Sequence, residues 1–173
     1  MRRQYMIFKL LLTLLIPVLF TACSSMQIQK TTPFKPSPQK QIAVVPFYNY
    51  TQTPLAGYSA ASMANVILKS HGYRVTAQQL HPDAKAELEE NSQSRASLVS
   101  SLKQKGFDYM LGGEVTEWRY KTGIDAEPVV GLTVRLMDLK SGKTLYSGTG
   151  SKTALGSASL SGTAQKILDE ILP

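Results

Sequence analysis

The 173-residue chain has one cysteine, Cys23, so no disulfide framework can hold it. It has two histidines, His71 and His81, with no cysteine or carboxylate at ligand spacing around them, which argues against a zinc site. Acidic side chains are the scarcer sign, 12 against 19 Lys and Arg. The basic residues are nevertheless scattered, without the clustered face that nucleic-acid binding requires, and that class is set aside. A long apolar run is also missing. Leu10 to Ala22 falls short of the ~20 apolar residues a spanning helix needs, and Pro17 interrupts it. Catalytic signatures fail one by one. Ser141-Gly142-Lys143-Thr144 ends like a phosphate-binding loop, but Met137 stands where its first glycine belongs and the context is a hairpin. Gly57-Tyr58-Ser59-Ala60-Ala61 lacks the last glycine of a nucleophile elbow, and Ser59 reads as a helix-start residue. Glu114, Glu117, Asp125 and Glu127 gather around one strand end, where a glycosidase would place a carboxylate pair, yet they read more simply as solvated strand residues. Nothing calls for an enzyme, a metal or a cofactor.

What is present begins at the N-terminus. Arg2, Arg3 and Lys9 precede the apolar stretch, and Leu19-Phe20-Thr21-Ala22-Cys23 closes it with a small residue before the cysteine. That stretch resembles a bacterial lipobox. The resemblance implies that residues 1–22 are a signal peptide that is removed, leaving Cys23 as an acylated first residue. Two or more chains, at ~0.8 kcal/mol per buried methylene, make such an anchor permanent. Ser24 in place of aspartate points to the outer membrane under enteric-type sorting rules. Losing Arg2, Arg3 and Lys9 lowers the formal charge from +7 to +4. Residues 23–40, with Pro33, Pro36 and Pro38 among polar side chains, read as a lipidated flexible tether reaching on the order of 20 to 25 Å.

Residues 41–173 are long enough for one α/β domain, expected as a mixed β-sheet of about five strands flanked by three main helices. Ile42 to Tyr48 is apolar enough for a buried strand, with Pro46 marking a bulge or its end. Ala60, Met63, Ala64, Ile67 and Leu68 repeat at helical spacing before Gly72, and Tyr73 to Ala77 returns as a short strand. Ala84 to Asn91 is a polar stretch, either a short helix or a loop. Arg95 to Lys105 predicts a second helix. Phe107 to Tyr120 predicts a long strand, with Gly112-Gly113 marking a bulge or a close backbone approach. Val130, Leu132, Val134 and Leu136 alternate with Thr133 and Arg135, so one face of this sheet sees water or a partner. Lys140-Ser141-Gly142-Lys143 predicts a hairpin into Thr144 to Lys152, whose far end Gly148 and Gly150 weaken. A last helix covers about Ser157 to Leu172.

Three groups of side chains are candidates for function. Trp118, Tyr120 and Tyr146 are large aromatics that could face a membrane boundary, with core packing as the alternative. Arg119 and Arg135 could meet carboxylates of a neighbouring protomer packed side by side. Asp83, Glu87, Glu89 and Glu90 form the densest acidic stretch, and Asp125 and Glu127 a second one. Either patch could attract a positively charged partner, or simply solubilise the surface.

The run Tyr109-Met110-Leu111-Gly112-Gly113-Glu114-Val115-Thr116-Glu117-Trp118-Arg119-Tyr120-Lys121 resembles the PelC family of Pel polysaccharide outer-membrane lipoproteins. Glu127-Pro128, Gly131-Leu132, Arg135-Leu136 and Ser141-Gly142 continue the resemblance into the final helix. Ile42-Ala43-Val44-Val45-Pro46-Phe47 matches the first strand, which a wider superfamily shares, including curli-secretion and peptidoglycan-synthase-activator lipoproteins. The resemblance implies a non-enzymatic export component, forming a homo-oligomeric periplasmic ring that guides a cationic exopolysaccharide to an outer-membrane β-barrel porin. A lipoprotein that activates a cell-wall synthase is the other reading. The family often carries tryptophan near Leu145-Tyr146, where this chain has tyrosine.

Overall fold

The computed structural model describes residues 26–78, 92–123, 126–155 and 158–173. Seven strands appear in chain order: β1 (Met26–Lys30), β2 (Gln41–Val44), β3 (Tyr48–Asn49), β4 (Arg74–Ala77), β5 (Tyr109–Tyr120), β6 (Pro128–Asp138) and β7 (Thr144–Thr153). Three helices accompany them: α1 (Ala56–Ser70), α2 (Ser92–Gln104) and α3 (Leu160–Ile171). The strands form one mixed sheet in the order β1-β7-β6-β5-β2-β4, with β3 added beside β5. β2 lies parallel to both β4 and β5, while β5, β6, β7 and β1 follow one another antiparallel.

The alternation in β6 decides which face is covered. Val130, Leu132, Val134 and Leu136 are buried with Ile42, Val44, Leu111 and Val115 of the neighbouring strands. Onto that face pack Ala60, Ala64 and Leu68 of α1 and Ala164, Ile167, Leu168 and Ile171 of α3. Each fully buried Leu or Ile contributes about 1.5 to 3 kcal/mol, so this layer carries most of the stability. α1 stops where Gly72 takes φ +86°, a left-handed conformation that glycine adopts without strain. α3 starts at Ser159, whose Oγ accepts the Gly162 N–H at 3.0 Å. On the other face, α2 covers only one end, where Leu102 meets Ala43, Val45, Met110 and Leu139.

Three expectations change. The sheet has seven strands, not about five, because β3 is only two residues long and β1 comes from the supposed tether. Met26 and Ile28 point to the core cluster while Gln27 and Gln29 are exposed, so β1 zips onto the edge strand β7 with Met26 opposite Lys152. Residues 31–40 are docked as well. Phe34 meets Tyr109 edge-on at 6.2 Å, Pro36 is buried, and Lys40 pairs with Asp108 at 2.6 Å. The third change concerns Gly150 of β7, whereas at Gly112-Gly113 of β5 one of the two expected readings, the close approach, is found. A Cβ on Gly113 would sit 2.0 Å from the Thr133 carbonyl oxygen, so this position is the close approach, while the register shift lies at Thr116, between Val115 and Glu117. Gly150 of β7 has a packing role within continuous pairing to β6 and β1. A Cβ there would lie 2.7 Å from Ile167 and 2.6 Å from Ile28, so its absence lets α3 and β1 settle onto the strand.

Candidate functional site

Beyond the end of α2, no helix among the described residues covers the second face of the sheet, here called the bare face. Glu114, Thr133 and Thr149 are register partners on β5, β6 and β7 and therefore share this face, with Arg135 and Ser147 two residues further along. The Arg135 guanidinium holds Glu114 through both nitrogens, the second contact at 3.3 Å. Thr133 and Thr149 join their hydroxyls at 3.1 Å. The shift at Thr116 places Glu117 opposite Gly131, the neighbour of Val130 that points to this side, and Arg119 Nε donates to Glu117 at 2.9 Å. Tyr48 pairs in register with Glu114, and its ring lies parallel to that of Tyr50, 8° and 6.3 Å apart. Tyr50 is 68% exposed and opens onto a cleft of about 450 Å³ shared with Thr53, Thr116, Glu117 and Arg119. Aromatic rings beside arginines, with charges neutralised in pairs, make a surface suited to contact with another protein.

The candidate side chains separate clearly. Arg119 and Arg135 do lie on the bare face, but each already holds a carboxylate of its own chain, Glu117 and Glu114, at partly exposed positions. Trp118 is 6% exposed and belongs to the core cluster, and Tyr146 is 3% exposed. Neither ring is presented to a membrane from this protomer. The Thr116 shift turns Trp118 inward, and Tyr146 faces inward because it pairs with Leu136; its hydroxyl donates to the Ile171 carbonyl at 2.9 Å, and burial raises its pKa. Tyr120 is 47% exposed. Glu127 is half-buried and bound to Lys121 at 2.9 Å. Cys23, Asp83, Glu87, Glu89, Glu90 and Asp125 lie outside the described residues. Residues not singled out from sequence are Tyr48 and Tyr50; their alternation on either side of Asn49 was the available signal.

The two ends of the long strands also differ. Where β6 turns into β7, Asp138 accepts from the Ser141 hydroxyl at 2.6 Å and from the backbone of Lys140 and Ser141. The Ser141 bond is the chief reason its carboxyl lies below the usual range. At the same end, burial pushes the Asp108 carboxyl up, but hydrogen bonds from Lys40 and the Gln41 N–H outweigh it and hold the group low. The Ser141-Gly142-Lys143-Thr144 run is thus a hairpin turn stapled by Asp138. Among the described residues, no three His, Cys, Asp or Glu side chains converge as a metal site, and no helix is long and apolar enough to cross a membrane.

No protein-family model matches the chain, and no curated relative does either. Among solved structures, the PelC dodecamer of Paraburkholderia phytofirmans is 32% identical, with a TM-score of 0.73, over 86% of this chain and 95% of that one. The chain belongs to the PelC family. The lipoprotein GNA1162 of Neisseria meningitidis, 23% identical with a TM-score of 0.58, covers 77% of this chain and 95% of its own, and shares the fold. So does the hypothetical protein CT253 of Chlamydia trachomatis, 12% identical with a TM-score of 0.51 over 77% of this chain and 93% of its own.

Proposed function

We propose that this chain is a non-enzymatic lipoprotein of Pel exopolysaccharide export, held at the periplasmic face of the outer membrane by acyl chains on Cys23. It assembles as a homo-oligomeric ring that guides a cationic polysaccharide to an outer-membrane β-barrel porin. The observation that carries this reading is the match to nearly the whole of a dodecameric PelC protein. The bare face supports the assembly. Tyr48, Tyr50, Arg119 and Arg135 offer one protomer's contribution to a head-to-tail contact, which closes into a ring when its rotation closes. Because Glu114, Glu117 and Glu127 are each paired with a cation, they offer little free charge to a polymer. The attraction for a cationic chain is therefore assigned to Asp83, Glu87, Glu89 and Glu90, with Asp125 as the second source, repeated around the ring.

The test is genetic. Deleting the gene should abolish secreted Pel polymer, the intact gene should restore it, and Cys23→Ser should not. Normal secretion in the deletion strain, accompanied by a cell-wall synthesis defect, would replace this reading with that of a synthase activator.

A further inference from the structure

We infer that the cleft between the Tyr50 loop and the end of β5 binds one neutral pyranose unit of a polysaccharide, held by ring stacking and hydroxyl contacts and not by charge. The inference rests on the export reading and adds a subsite to it. The loop after β3 is built before any ligand arrives. The Tyr50 N–H donates to the Val115 carbonyl at 2.9 Å. Asn49 Oδ1 accepts from the Thr51 N–H at 3.0 Å and from the Thr51 hydroxyl at 2.8 Å, while Asn49 Nδ2 donates to the Thr53 carbonyl at 2.8 Å. The Thr53 hydroxyl ties the loop to the Trp118 carbonyl at 2.6 Å. Each of these bonds removes freedom that a ligand would otherwise have to freeze. Tyr50 is thus held out, 68% exposed, at little further entropic cost to binding.

The cleft offers what a sugar ring needs. Its volume of about 450 Å³ lies within the ~300 to 1,000 Å³ of small-ligand sites. A pyranose has an apolar face of C–H groups and a rim of hydroxyls, and the electron-rich face of a tyrosine ring complements the C–H groups. For the rim, Gln52 and Thr116 present an exposed amide and an exposed hydroxyl, each able to donate and to accept. Glu117 and Arg119 add acceptor and donor groups, joined to each other at 2.9 Å. That pairing also decides the class of unit. With carboxylate and guanidinium compensated inside the cleft, a positively charged sugar gains nothing there over a neutral one, and the site takes a neutral hexose or an N-acetylated hexosamine. The cleft stands at the β5 margin of the bare face, because β3 lies off the main strand order. Every protomer of a ring would repeat the subsite, so weak single contacts would add along one chain.

Full-length acylated protein, in a zwitterionic detergent without sugar headgroups, would be titrated with the tetramer of N-acetylglucosamine and with its deacetylated, cationic counterpart, read by saturation-transfer NMR. The N-acetylated tetramer should bind, with an affinity that changes less than about twofold between roughly 0.05 and 0.5 M salt, since no free charge is involved. Tyr50→Ala should weaken it about tenfold or more, and Tyr50→Phe less than about threefold, because the phenyl ring keeps the stacking face. Arg135→Glu removes a protomer-contact charge but no part of the cleft, so it reports any effect of assembly, and its affinity should stay within about twofold of wild type. No binding of the N-acetylated tetramer, binding of the cationic tetramer alone, or equal losses in Tyr50→Ala and Arg135→Glu would overturn the subsite. None of these outcomes bears on the export reading, which secretion in the deletion strain decides separately.

Discussion

The two faces of the one sheet are built on opposite terms. On the covered face, β6 presents Val130, Leu132, Val134 and Leu136 to α1 and α3, and Gly113 and Gly150 give up their side chains so that neighbours can approach. On the bare face, the same strands present Thr133, Arg135, Thr149 and Glu114, with charges matched within the chain. The difference separates two jobs. Stability comes from burial on one side, while the other side is free to vary its contacts because little of the fold depends on it.

The comparison can be broken first at Gly113. Gly113→Val drives a Cβ into the Thr133 carbonyl and the Phe47 ring, and should cost about 3 kcal/mol or more in chemical unfolding. A mild loss would mean that the covered face tolerates strand movement. Tyr146→Phe should cost about 1 kcal/mol, because the Ile171 carbonyl loses its buried donor. On the bare face, Arg135→Glu paired with Tyr50→Ser should change monomer stability by about 1 kcal/mol or less, since the lost ion pair is partly exposed. The same double variant should dissociate the oligomer in light scattering. A large stability loss without dissociation would erase the division between the faces.

Acid provides a subtler test at the charged strand end. Asp108 titrates below the usual carboxylate range when folded, so its stabilising contribution is present above the unfolded value near pH 4 and is lost as pH falls through the folded value. Asp108→Asn should therefore flatten part of the decline in thermal stability on acidification, with little change in slope near neutral pH. An unchanged acid profile would show that the Lys40 and Gln41 contacts do not persist in solution.

Much of the fold could be read from the sequence because its strongest periodicities lie on the covered face. The α1 stripe, the β6 alternation and the hairpin at Ser141-Gly142 needed no tertiary information. Trp118 was harder. Strict alternation from Val115 points it outward, and the single extra residue at Thr116 reverses the parity of everything that follows. Tyr146 was hidden in the same way, because Met137 pairs with Thr144 but Leu136 with Tyr146, and without the extra residue at Leu145 counting across the hairpin would match Leu136 to Leu145. β1 was hidden by composition, since Met26 and Ile28 alternate with glutamines in a segment otherwise rich in proline and lysine. Glu117, the partner of Arg119, lies two residues away on the same strand, within reach of simple alternation, whereas Glu114, the partner of Arg135, lies on the neighbouring strand, so register had to be known before that charge could be assigned.

The central claim is that this protomer is one segment of a closed ring. It is tested most directly by native mass spectrometry of the full-length protein extracted in detergent, over a hundredfold range of dilution. The account predicts one multimeric mass, constant above its dissociation threshold and collapsing to monomer in the Tyr50→Ser/Arg135→Glu variant. A wild-type protein that is monomeric at every concentration, in detergent and on membranes alike, would contradict it.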